Sequence, residues 1–100
     1  MIAHRGESII IGSVFKAING SFNLADYEVR CVVTDIKGEK ILTIENDDVV
    51  RNNADNTVAC TIDGVLTMQM VRGLYFASFE LWANGEMVLS NEVEQLTIVD

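Results

Sequence analysis

Apolar and polar side chains alternate with a period of two along much of the chain, the pattern of strands that bury one face and wet the other. From Asp26 to Asp35, Tyr27, Val29, Cys31 and Val33 fall on one side and Glu28, Arg30 and Thr34 on the other. Tyr75, Ala77, Phe79 and Leu81 repeat the pattern against Ser78 and Glu80, and Asn84-Gly85 behind them is the pair a two-residue type I′ hairpin demands. Shorter runs predict strands over Ser8 to Ile18, over Lys40 to Glu45 and through Val58, Cys60 and Ile62, with Asn19-Gly20, Lys37-Gly38 and Asp63-Gly64 as turns. Asn46 to Asn56 is polar and acidic around an isolated Val49-Val50 pair, which predicts a loop holding a short edge strand. Leu66 to Val71 fits a strand or a single helical turn, since Leu66 and Met70 stand four apart. After the hairpin, Met87 to Leu89 pairs back, Ser90 and Asn91 interrupt, and Val93 to Val99 forms the last strand.

Together these elements predict an all-β fold, an immunoglobulin-like antiparallel β-sandwich of about seven strands. Turns recur at the spacing of sandwiches, and no segment reads as a helix of three turns. The same strands could close into a barrel. Residues 1–7 read as a flexible N-terminal segment and 8–100 as a single sandwich domain, and 100 residues are enough for one core without staples.

Charge narrows the partners. The net charge of −8, from 15 acids against 7 bases, repels polyanions and anionic membranes, and the bases form no stripe. Met1 to Glu7 lacks the ordered regions of a secretory signal, and no apolar run approaches the roughly 20 residues that span a bilayer as a helix. Cys31 and Cys60 sit inside apolar alternating runs, so two reduced core thiols are favoured over a disulfide. Proline is absent, which leaves the sheet edges to be covered by a partner chain or guarded by charges such as Lys40, Glu45 and Arg51.

Candidate chemistry is sparse. His4 is the only histidine, so nucleophilic catalysis has no credible base, and no enzyme activity or cofactor is predicted. Asp47, Asp48 and Asp55 lack the order and the terminal glutamate of a calcium loop, and they read as a solvated acidic loop rather than a metal site. Asn19-Gly20-Ser21 matches a glycosylation sequon but reads better as a turn. Trp82 falls out of phase with Phe79 and Leu81, which places it on the opposite face with Phe76 as an aromatic patch for a protein or a sugar ring.

The order of features resembles the N-terminal immunoglobulin-like domain of phage baseplate upper proteins. The residues carrying the likeness are Gly6-Glu7-Ser8, Asn23-Leu24 ahead of Tyr27-Glu28-Val29-Arg30, the hairpin from Asp35 to Lys40, Gly73-Leu74-Tyr75, Phe79-Glu80-Leu81 and Leu96-Thr97-Ile98. The resemblance implies a non-enzymatic tail assembly module with protein partners among tail or baseplate components, self-association included. It implies a place in the virion, or in the host cytoplasm before assembly. Phe76, Trp82 and Met87 are then the interaction candidates. The chain departs from the family's plan in having no heptad repeat for a trimerising stalk. The alternative is an immunoglobulin-like carbohydrate-binding or cell-surface accessory module.

Overall fold

The computed structural model describes residues 1–15 and 23–100. The far end of the strand expected from Ser8 to Ile18 and the Asn19-Gly20 turn lie outside the described residues.

Among the described residues, eight strands form two sheets. The larger holds β1 (Ile2–His4), β3 (Glu28–Asp35), β4 (Lys40–Ile44), β7 (Gly73–Ala83) and β8 (Glu86–Val99) in the order β1-β8-β7-β3-β4. The smaller holds β2 (Ile9–Val14), β5 (Val50–Asn52) and β6 (Thr57–Ile62) in the order β2-β6-β5. The sheets share one core. Val29, Cys31, Val33, Ala77, Phe79 and Leu81 bury the inner face of β3 and β7 against Ile9, Ile11, Val58, Cys60 and Ile62 of the smaller sheet. This is the face that alternation predicts, and the fold is mostly β with a sandwich-like architecture.

Local chemistry explains the connections. Asn84 and Gly85, with φ of +53° and +77°, turn β7 into β8 as a two-residue loop with both central residues left-handed, the type I′ geometry expected of Asn-Gly. The ambiguous segment after Asp63 resolves into a helical turn, α1 (Gly64–Met68). Thr67 and Met70 are buried while Val65, Met68 and Val71 are exposed, a spacing of three that suits a helical turn and not a strand. This corner seats on the chain entering β2. The Thr67 hydroxyl donates to Glu7 O at 2.7 Å and accepts from Gly6 N at 3.0 Å. Gly64 has no room for a side chain, because a Cβ there would lie 2.2 Å from Gly6 O.

Tyr75, near the start of β7, donates its hydroxyl to Val71 O at 2.6 Å and so ties the strand to the corner before it. Tyr75→Phe is expected to lower unfolding free energy by about 1 kcal/mol, the usual net value of one such bond. A urea midpoint unchanged from wild type would show that the bond does not anchor the corner.

Three expectations are corrected. Residues 1–7 are not a loose segment: β1 pairs with β8 through Ile2↔Thr97, Ala3↔Ile98 and His4↔Val99, and Ala3 is buried. A three-residue strand is too short to show a period, and its partner is about 95 residues away in the chain. That pair is parallel, so the sandwich is not wholly antiparallel. Ser90 and Asn91 do not interrupt the last strand, because they pair with Glu80 and Phe79 inside a continuous β8. Two extra residues on β8, Val93 and Val88, bulge between paired neighbours and shift the side-chain phase, which erases the alternation a single strand would show. The short edge strand expected around Val49-Val50 is β5.

Cys31 and Cys60 are buried and unbonded to each other. The two thiols are hydrogen-bond partners across the sheets, which pushes Cys31 well above the ordinary thiol range, with burial adding to the effect. The same bond holds Cys60 down against the opposing effect of burial.

Candidate functional site

The residues singled out for interaction lie on the outward face of the larger sheet. Residues directly opposite in an antiparallel pair share a face, and the β3–β7 register sets Glu28 opposite Trp82, Arg30 opposite Glu80, Val32 opposite Ser78 and Thr34 opposite Phe76. The bulge at Val88 then brings Met87 opposite Trp82 on β8. Trp82 and Met87 therefore meet. Phe76 shares their face but lies six residues along β7, about 20 Å away at the rise of a strand, so the three do not form one contiguous patch.

Trp82 is held by charges on both sides. The Arg30 guanidinium stacks over its ring at 4.1 Å from the centroid. The indole Nε1 donates to Glu80 Oε1 at 3.0 Å, and Lys40 Nζ stands 3.5 Å from Glu80 Oε2. Glu80 is only 6% exposed, so this carboxylate is shielded from water by the neighbours it binds. Glu45 Oε2 lies 3.2 Å from Arg30 Nε, yet the N–H is not aligned with any acceptor, leaving an ion contact without a hydrogen bond. The result is an amphipathic surface: an aromatic ring fixed in orientation by Arg30 and Glu80, flanked by the exposed thioether of Met87.

Sequence reading found Trp82 and Met87 but missed Arg30 and Glu80. Their signal was present, as opposite charges on the wet sides of two strands predicted to alternate. What it lacked was the register that puts them side by side.

Beside this surface an open groove of about 540 Å³ runs between the chain entering β3 and the β7–β8 turn, with Tyr27, Glu28, Arg51, Trp82 and Asn84 among its walls. Arg51 builds that end of the molecule. Its guanidinium donates to Tyr27 O at 2.8 Å, to Asn46 Oδ1 at 2.9 Å, to Asn53 Oδ1 at 3.0 Å and to Leu24 O. Asn46 Oδ1 in turn accepts from Val29 N at 2.9 Å, so one arginine joins the segment before β3 to those before and after β5.

The acidic loop is distributed. Asp47 and Asp48 lie in a 3-10 turn over Asn46–Asp48, and Asp55 accepts from Asn52 Nδ2 at 3.1 Å in the turn after β5. Among the described residues, no three His, Cys, Asp or Glu side chains converge as a metal site. His4 Nδ1 contacts Asp100 O at 2.9 Å at the end of β1. Among the described residues, no helix is long and apolar enough to cross a membrane.

No family model matches the chain, and no curated protein matches it significantly.

Proposed function

We propose that this chain is an immunoglobulin-like module that joins protein components of a phage tail or baseplate, docking through the surface centred on Trp82 and Met87. The observation that carries the docking surface is the Trp82 ring locked between Arg30 and Glu80, with the exposed Met87 beside it. Tryptophan and arginine are among the residues enriched at the few positions that dominate a protein interface.

The immunoglobulin-like reading draws support from topology. β3, β7 and β8 neighbour one another as the C, F and G strands do in that sandwich, and β2, β6 and β5 follow the order of B, E and D. The Tyr75 hydroxyl bonded four residues upstream corresponds to the tyrosine corner of such domains. The inter-sheet disulfide of antibody domains has no counterpart here, since both cysteines are free and lie on β3 and β6. The tail assignment rests on the sequence resemblance through Gly6-Glu7-Ser8, Gly73-Leu74-Tyr75 and Leu96-Thr97-Ile98.

The test is reconstitution with the proteins encoded by neighbouring genes, measured by calorimetry. A tail or baseplate protein is expected to bind, and Trp82→Ala should weaken it tenfold or more, the size of an interface hot spot. Undiminished binding by Trp82→Ala would move the docking surface elsewhere. Polysaccharide-use genes in the neighbourhood, with oligosaccharide binding lost in Trp82→Ala, would replace the assembly reading with carbohydrate recognition.

A further inference from the structure

The outward face of the smaller sheet differs from that of the larger. The register places Gly12, Ala59 and Val50 in one row across β2, β6 and β5, with Val14, Thr57 and Asn52 in the next and Ile10 beside Thr61 on the other side. None of these side chains is charged, in a chain carrying 22% charged residues and a net charge of −8. The single charge within these strands, Arg51, sits opposite buried Val58 on the inner side, where it holds the loops. The larger sheet has Glu28, Arg30 and Glu80 on its outward face instead. Ile10 and Val50 are nonetheless 70% and 73% exposed, and Val14 is 49% exposed.

We infer that this face is a self-association surface, on which two copies of the chain pack sheet against sheet about a twofold axis. Charge selects the occupant. Two copies of an acidic protein repel one another over most approaches, and a face without charges is where they can touch with the least penalty. A basic partner would gain little here, because the strands of the face carry no carboxylate and Asp48 and Asp63 stand only at its rim, beside Val50 and Thr61. Relief also suits a twofold contact, in which each side chain meets its own symmetry mates. Gly12 and Ala59 form a low row, and Ile10 and Val14 rise on either side of it as ridges that fit beside the low row of the facing sheet.

Size sets the strength. Two strands of six residues and one of three, about 4.8 Å apart, cover on the order of 250 Å² per copy. A standard stable interface buries about 800 Å² per partner, so the dimer is weak and forms at high concentration or where copies are held close together.

The test is sedimentation equilibrium of the full chain from about 10 to about 500 µM, at about 0.1 M and about 1 M salt. The mass is expected to climb towards that of a dimer with concentration, and to climb further at high salt, where repulsion between the acidic copies is screened. Ile10→Lys should hold the protein at the monomer mass, although it lowers the net charge from −8 to −7 and so lessens general repulsion. Val50→Lys should do the same and serves if Ile10→Lys fails to fold by circular dichroism. Trp82→Ala should leave the association unchanged, because that ring is on the outward face of the other sheet, and this separates the dimer from the docking proposed above. A monomer throughout, a dimer indifferent to both lysines, or an association that weakens with salt would each overturn the inference.

Discussion

Phe79→Ala is expected to lower the unfolding free energy by about 3–5 kcal/mol. Phe79 is fully buried in the middle of β7, with Cys31 opposite on β3 and Asn91 opposite on β8, and its ring faces the smaller sheet. Removing the ring forfeits its transfer out of water and leaves a cavity between two sheets whose spacing is fixed by their backbone ladders, so the site collapses poorly. Small domains have roughly 5–15 kcal/mol in total, so this one change takes a large part of it. Denaturant unfolding measures the loss. A drop below about 1 kcal/mol would mean that the sheets close over the gap and that the core is less tightly held than its burial implies.

Arg51→Ala should cost about 2–4 kcal/mol, an effect unusual for a partly exposed cation. Most surface arginines contribute little, because their ion pairs are screened and entropically expensive. Arg51 differs in making no ion pair among the described residues: its partners are two backbone carbonyls, Tyr27 O and Leu24 O, and the side-chain oxygens of Asn46 and Asn53. Leu24 is fully buried, and truncation strips the charged donor from acceptors at the edge of the core, leaving Leu24 O with Tyr27 N and Asn46 Oδ1 with Val29 N. Arg51→Lys should recover only part of the loss, since one ammonium cannot reproduce the planar fork that reaches several acceptors. Equal stability of Arg51→Ala and wild type in urea would show that water replaces the guanidinium at no cost.

Much of the fold was legible where one face of a strand is buried and the other wet. β3 and β7 declared themselves through Val29, Cys31 and Val33 and through Ala77, Phe79 and Leu81, and Asn84-Gly85 announced the turn between β7 and β8. Legibility failed where the period fails. The bulges at Val93 and Val88 moved β8 out of phase, and β1 owes its existence to a partner at the other end of the chain. The candidate site was half legible for a related reason. Alternation placed Phe76 and Trp82 on one face, but only the β3–β7 register shows Arg30 beside Glu80 and both around the indole, and Phe76 too distant to join them. The charge-free face of the smaller sheet was hidden in the same way, since Gly12, Ala59 and Val50 become neighbours only when three separated segments are aligned.

The parallel pairing of β1 with β8 also decides how the molecule bears load. Arg5 N reaches Val99 O, and Thr97 N reaches Met1 O, both at 2.8 Å, so the first and last strands run side by side in the same direction. Tension drawing residues 1 and 100 apart pulls these strands past each other along their length. All the rungs between them are strained together rather than opened one by one, and the sandwich resists being drawn out from its ends with the combined strength of the ladder.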